Sequence, residues 1–258
     1  MIGNAMRKVF IIGIGAGNPD YVTIQAVKAL NEVDVFFIPD KGVEKDALRK
    51  LRIDICERFI KDKGYRFIHT KRPERARSSS DYKSSVAEWH RQIEADYERL
   101  LSEELHEDEC GAFLVWGDPT LYDSTLQIIK NIGAKADFAL DYEIIPGISA
   151  VQALGARHQV ALNRIGESIY VTTGRKLAEG FPSHVDSVVV LLDGDQAFKK
   201  LGEEDLDIYW GAYIGTEEEV LVAGKLSEAM GDIERIRAQK REKNGWIMDT
   251  YLLRKPEK

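Results

Sequence analysis

Cysteine and histidine are scarce in this sequence. Its 258 residues include two cysteines, Cys56 and Cys110, and five histidines, none of them at a spacing typical of a metal site. We therefore expect no metal cofactor. Two isolated cysteines also suit a reducing compartment, which makes the cytoplasm the simplest expected location.

Long apolar runs are also missing, and basic residues are fewer than acidic ones. No stretch of about 18 apolar residues exists to span a membrane, and the opening residues, MIGNAMRKV, lack the apolar core of a signal peptide. The 36 Lys and Arg residues stand against 43 Asp and Glu, which gives a net charge of −7. Because this balance argues against general nucleic-acid binding, we expect neither a nucleic acid nor a membrane as a partner.

One segment departs from this acidic balance. From Arg66 to Lys83 the sequence has six basic and two acidic residues, in a stretch that includes RPERARSSS. Two interpretations are open. The segment is either a solvated, mobile connection, or a docking surface for a substrate with several carboxylates, which arginine pairs with in bidentate geometry.

Apolar runs alternate with amphipathic segments in the first half of the chain. KVFIIGI, VDVFFIP, YRFIHT and GAFLVWG are typical of strands, and the segments between them have apolar residues at helical spacing. Such repeated βαβ units predict a parallel sheet. In the second half, strand patterns such as SVVVLLDG and WIMDTYLL are more frequent and helical ones fewer, which predicts a mixed sheet. We therefore predict an α/β fold with an N-terminal domain over residues 6–119 and a C-terminal domain over residues 120–258.

The turn after the first strand, GIGAGNPDYVT from Gly13 to Thr23, raises the question of a ligand. A dinucleotide fingerprint needs G-x-G-x-x-G opening directly into a helix. Gly13 and Gly15 fit, but the third position is Asn18, and Pro19 delays the helix until after Thr23. From this loop alone, a dinucleotide site and a glycine turn without a ligand both remain open.

Three later turns have a similar composition: VWGDPTLYDS, IPGISA and GAYIG. The first follows a buried strand pattern, and ligand clefts in open α/β sheets lie at the carboxyl ends of strands. Each turn alone is weak evidence, because Pro-Gly turns are common. Their combination and their order along the chain carry more weight.

Together these motifs resemble those of the tetrapyrrole (corrin/porphyrin) methylase family. The family's G-x-G-x-G loop matches GIGAGNPDYVT, its G-D-P turn matches Gly117–Pro119, its P-G-[IV]-[ST]-[AS] element matches PGISA, and its late G-T element matches GAYIGTEEEVLVAGKL. The resemblance runs from Lys8 to Leu253. It implies two α/β domains with S-adenosylmethionine in the cleft between them, and a homodimer.

The resemblance also implies which residues bind S-adenosylmethionine. LLDGD stands where the family often has Y-M-G, which puts a side-chain role of Asp193 in question, and Ala16 stands where proline is common. The cofactor-binding residues expected from the matching motifs are Gly15, Ala16, Gly117, Asp118, Leu121, Ser149, Ala150, Asp193, Gly194 and Ala212.

Within the family, the basic segment and FFIPDKG resemble the members that methylate a corrin precursor and release its acetyl group as acetate. A tetrapyrrole with many carboxylates suits the basic segment, where Arg72, Arg75 and Arg77 are the candidate substrate-binding residues. Hydrolysis of an acetyl group favours a general base. The candidate catalytic residues are Asp40, at the end of the second strand, followed by His90 and Tyr122.

Two of these residues also fit purely structural roles. Asp40 could cap the next helix, and the Tyr122 side chain could simply pack. Among functions, three alternatives remain: a different methyltransferase of the same family, an NAD(P)-dependent oxidoreductase, and a corrin-binding protein without catalytic activity.

Overall fold

The computed structural model describes residues 6–40, 46–62, 64–71 and 82–256, and for residues 40, 46, 71 and 82–87 the backbone alone. The chain forms two compact units. The first comprises Met1–Gly15 and Pro19–Ile148, and the second comprises Ala16–Asn18 and Ser149–Lys258.

A parallel five-stranded sheet forms the first unit. The strand order is β3-β2-β4-β1-β5, and every neighbouring pair is parallel. This arrangement confirms the predicted βαβ organisation. The elements are β1 (Met6–Gly13), α1 (Ile24–Leu30), β2 (Val35–Asp40), α2 (Asp46–Phe59), β3 (Arg66–Lys71), α3 (Tyr82–Glu103), β4 (Cys110–Val115), α4 (Thr125–Lys135) and β5 (Ala139–Ile145).

Apolar side chains cover both faces of this sheet. Because successive side chains of a strand point to opposite faces, Phe10 and Ile12 of β1 pack with residues of α1 and α2. Val9 and Ile11 pack with residues of α3 and α4 on the other face. Every residue of β4 is buried. Burial on both faces explains why the central strands are continuous apolar runs.

The second unit contains a mixed sheet, as the strand spacing predicts. Its order is β6-β7-β10-β8-β9; β6 and β7 are parallel and the other neighbours antiparallel. Trp210, Tyr251 and Phe198 are its largest fully buried side chains. The elements are α5 (Ala150–His158), β6 (Ile169–Thr173), α6 (Gly174–Leu177), β7 (Ser187–Leu191), β8 (Asp207–Ala212), β9 (Val220–Lys225), α7 (Leu226–Asn244) and β10 (Asp249–Arg254).

The division between the units differs from the one expected. The sequence patterns suggest a boundary between residues 119 and 120, whereas the structure divides the chain between Ile148 and Ser149. The reason is that β5 pairs with β1 over seven consecutive residues. This pairing places α4 and β5 in the first unit. In the parts of the chain that the structure describes, no helix has the length and apolar character needed to cross a membrane.

A bidentate ion pair links the starts of β3 and β4. The guanidinium of Arg66 donates to both carboxylate oxygens of Glu109, at 2.5 and 2.8 Å. The hydrogen bonds from Arg66 are the main reason why the pKa of Glu109 is lowered from 4.5 to about 2. Since the folded state favours the ionised carboxylate, this pair stabilises the fold above the unfolded-state pKa, and the stabilisation is lost as the pH falls through the folded-state value.

Glu109→Gln should therefore flatten the acid limb of the stability profile. Between pH 4.5 and about 2, the free energy of unfolding of the variant should fall less steeply than that of the native protein, because the titrating carboxylate is gone. Urea unfolding at a series of pH values measures this slope. Glu107→Gln, at a neighbouring exposed position, is the control and should follow the native profile. Equal slopes for Glu109→Gln and native protein would contradict the role of the pair.

Candidate functional site

The candidate site is built on the turns where β1, β4 and β5 end. Each of these turns has a glycine, at Gly13, Gly117 and Gly147, and they approach so closely that Gly13 and Gly147 have no room for a side chain. A Cβ on Gly147 would lie 2.1 Å from the Gly117 carbonyl oxygen, and a Cβ on Gly13 would lie 2.6 Å from the Gly147 nitrogen. Such distances are shorter than real Cβ contacts, which stay above 3.0 Å. The three turns therefore form one surface made of backbone atoms.

Asp118 braces two of these turns. Its Oδ2 accepts from the Gly147 N–H at 2.9 Å, and its Oδ1 accepts from the Thr120 N–H at 2.8 Å and from the Thr120 hydroxyl. Partial burial raises the pKa of the carboxyl, but these hydrogen bonds outweigh burial and hold the pKa of Asp118 below its ordinary value. Because both oxygens are engaged within the protein, a ligand at this turn would meet the Asp118 backbone instead.

The first glycine loop depends on backbone freedom at two positions. Gly15 and Gly17 have φ angles of +79° and +100°, a region that side chains other than glycine rarely adopt. Gly15 also exchanges backbone hydrogen bonds with Gly117, at 2.8 and 3.3 Å. A short 3-10 helix over Pro19–Tyr21 then delays α1, whose start is capped by the Thr23 hydroxyl accepting from the Ala26 N–H. The strand therefore does not open directly into a helix, and the dinucleotide alternative finds no support.

Three non-glycine residues near strand ends also have a left-handed backbone. They are Tyr122 after β4, Leu192 after β7 and Tyr213 after β8, with φ angles of +54°, +54° and +49°. Such conformations cost about 1–3 kcal/mol each and cluster at functional sites. The side chains of Tyr122 and Leu192 are 47% and 68% exposed. Sequence reasoning missed Leu192, because nothing in LLDGD indicates that this residue takes a turn conformation usually reserved for glycine.

Ser149 and Ala150 lie at the start of α5. Ser149 is the N-cap residue: its hydroxyl accepts from the Val151 N–H at 3.2 Å, and its N–H donates to Gln152 Oε1 at 3.1 Å. This capping box fixes the start of the helix. The Ser149 side chain therefore has a structural role of its own, and the cofactor-binding role of Ser149 and Ala150 stays a prediction.

The side chain of Asp193 points into the interior of the second unit. Its side chain is buried, and its Oδ2 accepts from the Tyr251 hydroxyl at 2.5 Å and from the Ala197 N–H at 2.7 Å. A Cβ on Gly174 would lie 2.3 Å from the other carboxylate oxygen, so α6 can start there only with glycine. The carboxylate of Asp193 is thus used internally. What this turn presents outward is the Leu192 side chain.

The remaining predicted cofactor residues lie at strand ends. Leu121 follows the Gly117 turn, and its N–H donates to the Asp118 carbonyl at 3.2 Å. Gly194 has open space where a side chain would be. Ala212 is the fully buried last residue of β8. These three residues thus lie at or after the carboxyl ends of strands.

The predicted catalytic residues are only partly described. Asp40 is the last residue of β2, and its side chain lies outside the described atoms. Tyr122 follows β4, the neighbour of β2 in the sheet, so both residues belong to the same sheet edge. His90 is a half-buried residue of α3 whose ring lies 5.2 Å from the Trp89 ring. The predicted substrate-binding residues Arg72, Arg75 and Arg77 lie outside the described residues.

Sequence reasoning also missed a recess between β2 and β4. The two strands pair only as far as Phe37 and Phe113, although both strands continue beyond that point. Pro39 has no backbone N–H, so it cannot continue the ladder of hydrogen bonds between the two strands. The Leu114 carbonyl accepts instead from Nε of Arg52 at 2.9 Å, and Arg52 Nη1 also donates to the Leu48 carbonyl at 2.8 Å. The separation leaves a recess lined by Phe37, Pro39, Arg52, Tyr97, Phe113, Leu114, Val115, Asp123 and Thr125.

The described residues contain no group of three or more His, Cys, Asp or Glu side chains that could hold a metal ion. Cys56 and Cys110 are buried and are not joined in a disulfide, and burial raises the pKa of Cys110 to about 12. A buried thiol with a raised pKa is a poor nucleophile, since the thiolate is the reactive form. These cysteines therefore belong to the core.

Comparison with known proteins identifies relatives over nearly the whole chain. The family model described as Tetrapyrrole (Corrin/Porphyrin) Methylases matches residues 8–230. A protein of Sinorhizobium sp. named precorrin-6A synthase [deacetylating] is 49% identical over 97% of this chain and 96% of its own.

Solved structures give the same result for the fold. A cobalamin-synthesis-related protein from Corynebacterium diphtheriae is 38% identical, with a TM-score of 0.84 over 98% of this chain and 100% of its own. A uroporphyrin-III C-methyltransferase from Thermus thermophilus, solved with S-adenosyl homocysteine, has a TM-score of 0.55 at 17% identity over 95% and 96% of the two chains. At that identity the last likeness supports the fold alone.

Gly147→Ala tests the backbone surface directly. The added Cβ would collide with the Gly117 carbonyl, which is backbone and cannot move aside like a flexible side chain. We expect a loss of about 3 kcal/mol in the free energy of unfolding, at the upper end of typical overpacking costs. Urea unfolding measures it. Gly231→Ala in α7, where the new Cβ has open space, is the control and should be neutral or stabilising by up to ~1 kcal/mol. A Gly147→Ala variant as stable as the native protein would contradict the close contact.

Proposed function

Because the chain belongs to the tetrapyrrole (corrin/porphyrin) methylase family, we propose that it is an S-adenosylmethionine-dependent C-methyltransferase that acts on a corrin precursor and releases acetate. The observation that supports this most is the 49% identity, over nearly the full length of both chains, to a deacetylating precorrin-6A synthase. The expected reaction converts precorrin-5, S-adenosylmethionine and water into precorrin-6A, S-adenosylhomocysteine and acetate.

The described residues fit a folded cofactor held by backbone atoms. Gly15, Gly117 and the Asp118 backbone would form one part of its binding surface, where side chains are excluded and the Asp118 carboxylate is already engaged. In the second unit, Ala150, Gly194 and Ala212 add small residues at strand and helix ends. The other proposed contacts are Ala16, Leu121, Ser149 and the Asp193 backbone. S-adenosylmethionine, when bound, supplies a methyl group on a positively charged sulfonium.

The protein's part in methyl transfer is mainly orientation. The transfer is an in-line displacement in which the macrocycle provides the nucleophilic carbon, and positioning two reactants can contribute about 7–11 kcal/mol to lowering a barrier. A rigid backbone surface suits this task, because its N–H and C=O groups cannot rotate away as side chains do. The candidates for acid–base chemistry remain Asp40, His90 and Tyr122.

We also propose a homodimer in the cytoplasm, on the basis of the family resemblance and of two isolated cysteines that are not joined in a disulfide. The polycarboxylate tetrapyrrole would be the substrate, with no metal required.

An assay with precorrin-5 tests the function. With S-adenosylmethionine present, we expect stoichiometric formation of S-adenosylhomocysteine, acetate and a product with one more methyl group and no acetyl group. Methylation without acetate would indicate a different methyltransferase of the family. Binding of the corrin without turnover would contradict enzymatic function altogether. Calorimetry against S-adenosylmethionine and NADPH provides an independent control, in which only the former should bind.

Arg75→Ala tests the proposed docking of substrate carboxylates on the basic segment. A hydrogen bond to a charged group is worth about 1.5–3 kcal/mol, so KM should rise roughly tenfold or more while kcat changes little. Arg72→Ala and Arg77→Ala are the parallel variants. Arg241→Ala, an exposed arginine of α7, is the control with an unchanged KM. Native KM values in all three variants of the basic segment would refute this docking role.

A further inference from the structure

Both apolar and polar side chains line the recess between β2 and β4. Phe37, Phe113 and Val115 contribute apolar surface, whereas Arg52, Asp123 and Thr125 contribute a guanidinium, a carboxylate and a hydroxyl. It has space for roughly one or two water molecules. A small site with a guanidinium, a carboxylate and a hydroxyl in its lining is suited to holding and polarising a water molecule.

Asp123 is the one of these groups that can accept a proton. Its Oδ1 accepts from the Thr125 N–H at 2.7 Å, which fixes the side chain at the start of α4. Among the described residues, no donor lies within hydrogen-bond distance of Oδ2. The residue is exposed, so a proton taken up there can pass to solvent. Asp123 stands in the VWGDPTLYDS turn, but it is not among the site residues selected from the sequence.

Arg52 brings positive charge to the same recess. Its side chain is 4% exposed and is oriented by the Leu48 and Leu114 carbonyls. Those two acceptors belong to α2 and β4, so the guanidinium is held firmly relative to both elements. Fixed positive charge in a poorly hydrated place stabilises an oxyanion far better than the same charge in water.

We propose that this recess holds the water molecule that removes the acetyl group of the substrate, and that Asp123 is the general base that takes a proton from that water. The inference rests on the proposed deacetylating function. The acetyl carbonyl would lie against the recess, where the positive charge of the buried Arg52 guanidinium stabilises the oxyanion formed when water adds.

The step balances without a further reactant. The water oxygen bonds to the acetyl carbon while Asp123 takes the water proton. The bond between the acetyl carbon and the macrocycle then breaks, and acetic acid leaves. The electron pair of the broken bond stays on the macrocycle carbon, which becomes the nucleophile for the methyl group of the sulfonium. One proton is released overall, and exposed Asp123 returns it to solvent.

Asp123→Asn is the decisive variant. The asparagine amide oxygen can still accept from the Thr125 N–H, so the helix start is preserved, but the base is lost. We expect acetate release to fall by ~100-fold or more, with unchanged dissociation constants for S-adenosylmethionine and for the corrin substrate. Ser124→Ala is the matched control, because Ser124 makes no side-chain capping bond, and its activity should stay near native. Asp40→Asn, measured in parallel, compares the other candidate base.

A rescue experiment separates a proton acceptor from a merely structural residue. Asp123→Ser keeps a capping oxygen and leaves room for a small carboxylate, so added formate should restore acetate release at least tenfold. The same formate should not restore Asp123→Asn, whose side chain fills the space. Acetate release by Asp123→Asn within about threefold of native, or no formate rescue of Asp123→Ser, would overturn the proposal. If the native enzyme makes no acetate from precorrin-5, the proposed function itself fails, and this proposal fails with it.

Discussion

The close approach of three turns is the constraint on which the candidate site of the first unit depends. Neighbouring strands lie about 4.8 Å apart, and β4, β1 and β5 are consecutive in the sheet. Their turns leave the sheet side by side and then converge, so that a Cβ on Gly13 or Gly147 would collide with neighbouring backbone. Glycine at Gly13 and Gly147 allows this close approach. Asp118 then holds the outer two turns together, and its carboxylate is unavailable for other tasks.

The neighbouring pair of strands shows the opposite behaviour. β2 and β4 stop pairing at Phe37 and Phe113, and Arg52 takes over the Leu114 carbonyl that the ladder leaves behind. A buried carbonyl without a hydrogen-bond partner costs about 1–3 kcal/mol. Because pairing stops near Pro39, the Leu114 carbonyl needs a side-chain donor, which Arg52 provides. One sheet edge thus has a closed part made of backbone and an open part lined by charged side chains. The first suits a rigid binding surface and the second suits chemistry on a small reactant.

Much of this could be predicted from the sequence, and the failures have physical causes. The strands of the first unit are buried on both faces, so their continuous apolar runs are distinctive, and Thr23 and Ser149 cap helices as their positions indicate. The expected boundary between the units differs from the observed division. The reason is that a half-buried edge strand such as β5 has the same mixture of apolar and polar residues whichever sheet it joins. The inward turn of Asp193 and the exposed Leu192 depend on contacts that are distant in sequence. The recess depends on where a ladder ends, which composition does not reveal.

The assignment of Ala16–Asn18 to the second unit has a consequence for how this fold can be divided. A Cβ on Gly17 would lie 2.4 Å from the Ile214 carbonyl oxygen, so this short piece of the first loop packs closely with the second unit. Neither unit is therefore a single continuous stretch of chain. A gene cut between the codons for Ile148 and Ser149 would give one fragment with a segment foreign to its own core and another that lacks part of its packing. Exchanging the two halves between related chains at this point would therefore separate Ala16–Asn18 from the unit in which it packs.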